Sequence, residues 1–227
     1  MRIFGRSVKP KLMASLASLA SGLMMLGAAG SSNATIITGG ITGGSALAEG
    51  GSFIYVNPIP VGFTVGNDNF QDFNVRGFDE DQNIVLATAL SVDVGSNIAA
   101  GIEVASHSIV FDPAQIEDVF GFIEFDSDVL GIITTLSKLA ASDSLANTDV
   151  AYLNPNARGL EADDSVSIDA NNARRINFHF RASSPGDTIR VLTAHSPGAV
   201  PVSEPASSLL IGAGILSLMS VRRRLKA

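Results

Sequence analysis

The stretch Arg174-Arg175-Ile176-Asn177-Phe178-His179-Phe180-Arg181-Ala182 decides how the rest of the chain is read. Ile176, Phe178 and Phe180 point one way while Arg175, Asn177, His179 and Arg181 point the other, and a period of two describes a strand with one face on a core. Five more segments read the same way: "NIVLATALSVDV" (83–94), "IEVASHSIVF" (102–111), "GFIEF" (121–125), "SVSID" (165–169) and "DTIRVLTA" (187–194). Turn residues separate them, among them Asn67-Asp68-Asn69, Asp112-Pro113 and Ser184-Pro185-Gly186-Asp187. Short strands at this spacing, with no long segment of period 3.6, predict a mainly β chain: a single-domain antiparallel β-sandwich or jelly roll. One or two short helices are expected within it. "DPAQIEDVF" (112–120) offers an Asp cap, Pro at the first helical position and acids in the first turn, and "TLSKLAASDSLA" (135–146) has room for a turn or two.

Outward from that core, residues 53–200 read as one β-rich extracytoplasmic domain. Residues 35–52 are rich in glycine and read as a linker or a first strand. Their doubled Ile-Thr-Gly-Gly lacks the flanking strand, helix and acid of a dinucleotide fingerprint, and it has no lysine for a phosphate loop. Residues 1–34 read as a secretory signal: a basic start from Arg2 to Lys11, an apolar run, then Ser32-Asn33-Ala34, which predicts signal-peptidase cleavage between Ala34 and Thr35. At the other end, residues 206–221 would form a transmembrane helix about 24 Å long. Arg222, Arg223 and Arg224 follow it, predicting stop-transfer with this end in the cytoplasm.

The formal net charge of −7 conceals a division. Eight of the 15 Lys and Arg residues lie in the first eleven and last six positions, so the stretch between them and Glu204 carries seven basic against 21 acidic residues, a net of −14. Such a domain repels nucleic acid and anionic membrane, and it favours cations or neutral polymers as partners. The absence of cysteine excludes disulfides, thiolate metal sites and a cysteine nucleophile.

The C-terminal order of Glu204, Pro205, Ala206 and Ser207, a short apolar helix and an arginine cluster resembles the PEP-CTERM sorting signal. Ser203 stands where that signature has its first proline, and the nearest preceding proline is Pro201. The resemblance covers about the last 25 residues. It implies an exported protein of an exopolysaccharide-producing Gram-negative bacterium, held transiently in the inner membrane and processed by exosortase. The segments "GFDEDQNIVL", "FDSDVLGIITT", "YLNPNARGLEADDSVSID" and "RASSPGDTIRVLTA" also resemble a group of PEP-CTERM ectodomains with no assigned reaction, which adds no chemistry.

Three acidic groups stand out: Asp79-Glu80-Asp81, Asp126-Ser127-Asp128, and Glu161 with Asp163-Asp164. Calcium takes six to eight oxygens, and acidic turns of β-domains supply them. Asp126 and Asp128 are the calcium candidates, because they directly follow a strand with both carboxylates on one side; no other cofactor is expected. Asp also favours turns for its own local hydrogen bonds, and no segment matches an EF-hand loop. A glycoside hydrolase would need two facing carboxylates, for which Glu103 and Glu124 are the candidates. The chain has no Trp and only Tyr55 and Tyr152, a poor supply of rings for a sugar-cleaving cleft. His107, His179 and His195 lack zinc spacing, His179 reading as a solvent-face or satisfied residue, and no serine sits in GxSxG. Arg174-Arg175 reads as a solubility device or a partner for the surplus acids. The sequence therefore predicts a non-enzymatic surface or matrix protein with a structural or adhesive role beside exopolysaccharide. The alternatives are a polysaccharide-modifying hydrolase and a protein-binding envelope module.

Overall fold

The computed structural model describes residues 35–195. The leader through Ala34 lies outside the described residues, as do Ser203 to Ser207, the apolar segment after them and Arg222 to Arg224. No helix among the described residues is long and apolar enough to cross a membrane.

The chain is mainly β. In order it forms β1 (Ile36–Gly43), β2 (Phe53–Tyr55), β3 (Thr64–Val65), β4 (Val75–Asp79), β5 (Ile84–Val85), β6 (Val94–Gly95) and β7 (Glu103–Phe111). Then come β8 (Glu117–Phe125), β9 (Val129–Ile133), β10 (Ala151–Tyr152), β11 (Ser165–Asp169), β12 (Asn172–Ala182) and β13 (Asp187–Ala194). Two short helices, α1 (Ser45–Ala48) and α2 (Leu136–Ala141), interrupt the strands.

One sheet is four-stranded and antiparallel, in the order β1-β8-β12-β11. The other runs β2-β4-β7-β13-β9-β6 with β5 also on β7, and a two-stranded piece joins β3 to β10. The pairing is not antiparallel throughout, since β2 runs parallel to β4 and β10 parallel to β3. The glycine-rich start is strand rather than linker: β1 pairs with β8 from Ile36 opposite Phe125 to Gly43 opposite Phe120. Successive long strands alternate between the sheets, β7 to β8 to β9 and β12 to β13. Their inner faces share one core built from Val119, Ile123, Phe125, Ile176, Phe178 and Phe180 on one side and Ile109, Phe111, Ile189, Val191 and Ile132 on the other.

Period two holds for β12, whose Ile176, Phe178 and Phe180 are buried while His179 stacks outside on Phe120, ring centres 4.1 Å apart. It fails for β7 and β13, which are buried along almost their whole length. The larger sheet is covered on its second face as well. There Val104 and Leu192 pack with Ile133, Leu139 and Leu145, and Val110 packs with Phe78, Val65 and Val150. A strand in the middle of three layers has no solvent row, so its sequence need not alternate.

Two expectations are corrected. Residues 112–120 are not helical: β8 begins at Glu117, its Val119, Gly121, Ile123 and Phe125 face the core, and it pairs with both β1 and β12. Two full ladders of backbone hydrogen bonds outweigh a capping signal worth about 1 kcal/mol. Residues 83–94 are not one strand but the short β5, an isolated bridge between Leu90 and Ile98, and the start of β6. α2 and a 3₁₀ turn over Asp143–Leu145 lie within the helical stretch expected at 135–146.

Candidate functional site

Asp79 ends β4 opposite His107 on β7, and both lie on the inner row of the larger sheet. His107 is fully buried, its ring 4.8 Å from that of Phe125. Nδ1 of His107 lies 2.7 Å from Asp79 Oδ1, and because a carboxylate only accepts, that nitrogen carries the proton. Nε2 lies 3.0 Å from Thr193 Oγ1 on β13. Asp79 Oδ2 accepts from Thr35 Oγ1 at 3.0 Å and from the Tyr55 hydroxyl, while the Thr35 and Tyr55 oxygens are 2.6 Å apart and Asn57 Nδ2 donates to Tyr55 at 3.0 Å. Burial pushes the Asp79 carboxyl up, but the hydrogen bond and charge of His107, with the Tyr55 and Thr35 hydroxyls, outweigh it and hold the group below the usual carboxylate range. Burial and the neighbouring Asp79 push Tyr55 up to about 12.

This chain forms the floor of an open cleft of 460 Å³, lined by Thr35, Tyr55, Asn57, Asp79, Glu80, Gln82, Asn147 and Asp149 with Val56, Pro58 and Ile59. The lining is amide, hydroxyl and carboxylate, with no basic side chain. Among the described residues all seven Lys and Arg side chains lie within ion-pair distance of a carboxylate: Arg76 with Asp72, Lys138 with Asp93, Arg158 with Asp143, Arg174 with Asp128, Arg175 with Glu124, Arg181 with Asp163, and Arg190 with Glu80.

Glu80 follows Asp79 and turns to the opposite face. Its Oε2 accepts from Arg190 Nε at 2.6 Å and Ser106 Oγ at 2.6 Å, and its Oε1 from Arg190 Nη2 at 3.0 Å and the Tyr152 hydroxyl at 2.7 Å. Arg190 Nη1 donates onward to Ser142 Oγ at 2.5 Å and the Leu139 carbonyl at 3.2 Å. One buried pair thereby ties β4, β7, β13, α2 and β10 together.

The atoms of Thr193, His107 and Asp79 follow the order hydroxyl, imidazole, carboxylate that activates a nucleophile. Thr193 and His107 are both fully buried, so that hydroxyl meets no substrate, and the arrangement satisfies polar groups inside a core. Glu103 and Glu124 lie in different sheets, at the start of β7 and on the outward row of β8, where Arg175 and Asn172 hold Glu124. Asp126-Ser127-Asp128 is the turn between β8 and β9. Asp126 Oδ1 accepts from the Thr35 amide at 3.0 Å and from Ser127 Oγ, and exposed Asp128 faces Arg174 at 3.3 Å. Among the described residues the one grouping of three carboxylates able to share an ion is Glu161, Asp164 and Asp187.

Sequence reasoning missed the His107–Asp79–Tyr55 chain because its members are far apart in the sequence. The one available signal was a histidine in the middle of an otherwise buried strand. Compared with known proteins, the chain matches no protein-family model, no curated protein and no solved structure.

Proposed function

We propose that this chain is an exported β-sandwich, jelly-roll-like module of the cell surface or extracellular matrix, with a structural or adhesive role, and that it holds a neutral polysaccharide in the cleft over Asp79. The supporting observation is the chemistry of that cleft: three amides, hydroxyls and the carboxylates of Asp79 and Asp149 around Tyr55, with Glu80 also in the lining but its carboxylate taken by Arg190, and with no cation among the lining residues. Sugar hydroxyls both donate and accept, so they are met by such a mixed lining, whereas phosphate or sulfate polymers need basic groups. A non-enzymatic role fits as well. Asp79 is held below its usual range, the reverse of what a glycosidase acid needs, and Glu80 faces away into its pair with Arg190.

Export by signal peptidase, transient anchoring in the inner membrane and release by exosortase complete the proposal, and they rest on the terminal sequences. A cut after Ala34 would leave the Thr35 nitrogen, which donates to Asp126 Oδ1 at 3.0 Å, as the amino terminus. The cleft is tested by Asn57→Ala combined with Asp149→Ala, both exposed lining residues. Affinity for the host's neutral polysaccharide should fall roughly tenfold, about 1.4 kcal/mol, with an unchanged melting temperature. Equal affinity in wild type and double variant would refute the cleft assignment.

A further inference from the structure

The loop before β11 and the start of β13 meet at the end of the domain where the chain crosses from β12 to β13. Glu161, Asp164 and Asp187 come together there, each offering a carboxylate oxygen, with all three oxygens within 4.8 Å of one another. Two oxygens on opposite sides of one calcium ion at about 2.4 Å span that same distance. Asp187 is 1% exposed, and its Oδ2 is buried without a hydrogen-bond partner. An ionised carboxylate in that condition is costly unless a cation or a donor meets it.

Asp164 is held in place by backbone groups: its Oδ2 accepts from the Glu161 N–H and its Oδ1 from the Arg181 N–H, each at 2.7 Å. The cluster borders a 220 Å³ cavity lined by Glu161, Arg181, Ser183, Ser184, Gly186 and Asp187. Arg181 lies near Asp164 but its ion pairs are with two other carboxylates, Asp163 at 3.0 Å and Asp118 at 3.8 Å.

We infer that Glu161, Asp164 and Asp187 bind a divalent cation, calcium, which clips the loop before β11 to the first residue of β13. Three carboxylates leave at least three positions for carbonyls or water, which suits calcium's irregular shell better than the strict octahedron of magnesium. Without the ion the carboxylates repel one another. The sequence offered Glu161 and Asp164 as one of three acidic groups; only the fold brings Asp187 to them.

The test is calorimetric titration of calcium into the full chain after chelation, with thermal melts alongside. One calcium per chain is expected, with a dissociation constant on the order of 10⁻⁴ to 10⁻³ M, as in extracellular modules, and a melting temperature raised by several degrees at saturation. Glu161→Gln, at an exposed ligand, should fold as wild type and weaken binding roughly tenfold or more. Asp187→Asn should abolish the calcium-dependent rise while melting at or near the wild-type temperature in chelator, since the neutral amide keeps the shape of the carboxyl and removes only its ability to carry charge. Asp128→Asn should bind as wild type. No heat of binding up to about 10 mM calcium, or binding unaltered by Glu161→Gln and Asp187→Asn, overturns the site. Magnesium binding as tightly as calcium overturns the calcium assignment.

Discussion

Replacing Arg190 by methionine should destabilise the protein severely, and the structure sets the size of the effect. The change deletes both hydrogen bonds from Arg190 to Glu80, at 2.6 and 3.0 Å, and those to Ser142 and the Leu139 carbonyl. Glu80, 4% exposed, keeps the Ser106 and Tyr152 hydroxyls but has no counter-charge. Breaking a buried pair by removing one partner costs about 3–5 kcal/mol, a large part of the roughly 5–15 kcal/mol that stabilises a whole domain. Combining Arg190→Met with Glu80→Leu removes the stranded charge, so the double variant should recover at least half of the single variant's loss. Urea unfolding followed by far-ultraviolet circular dichroism measures both. A loss below about 1 kcal/mol for Arg190→Met, or a double variant weaker than the single one, would show that the pair does not tie the outer layer to the larger sheet.

The chain's two tyrosines and lack of tryptophan make phenol ionisation easy to follow by absorbance. Burial pushes both phenols up, Tyr55 to about 12, so no tyrosine should titrate near the ordinary value of about 10 while the fold persists. Because the folded values exceed the unfolded ones, these groups stabilise fully below about pH 10, and that contribution falls as pH rises towards about 12; a native-state midpoint near 10 would count against the packing of Tyr55. Asp79 shifts the opposite way, so its stabilisation is complete above the unfolded value of about 3.9 and is lost as pH falls through the lower folded one. Asp79→Asn should therefore flatten the acid limb of the stability curve, and an unchanged limb would contradict the role given to His107. Gly44 has φ +94°, and an added Cβ would lie 2.1 Å from the Asp118 carbonyl oxygen, so Gly44→Ala should cost more than about 1 kcal/mol in urea unfolding, whereas a neutral outcome would contradict the seating of α1 on β8. Mass spectrometry of the protein recovered from its host should find Thr35 as the first residue and Arg222 to Lys226 removed; retention of either end would contradict the export proposal.

The fold was legible where one face of a strand meets solvent. β11 and β13 lie where their sequences placed them, and β12 shows the expected two-residue alternation. It was illegible where a neighbour decides the geometry. β4 carries Gly77, where a Cβ would meet Ile36 at 2.8 Å and Phe53 at 2.9 Å, so the glycine allows those side chains to pack over the strand, a requirement set by neighbours distant in sequence. Residues 112–120 offered local helix signals, but the partners of β8 are β1 and β12, the nearer of them some fifty residues away in sequence. The candidate sites divide the same way. Acidic turns announce themselves, but which turn acquires a buried third carboxylate depends on the register of β13. The Asp79 cleft joins Thr35, Tyr55 and Asn147, which no local pattern connects. Charge was legible too: among the described residues the seven cations are all paired, and the acidic surplus remains.

Size-exclusion chromatography with light scattering, on the mature protein mixed with its host's own exopolysaccharide, tests the proposed function at its root. Co-elution with polymer of unchanged mass, lost when Asn57→Ala and Asp149→Ala are combined, is the predicted result. Separate elution of intact protein and intact polymer would contradict polysaccharide association, and a falling polymer mass would contradict the non-enzymatic role.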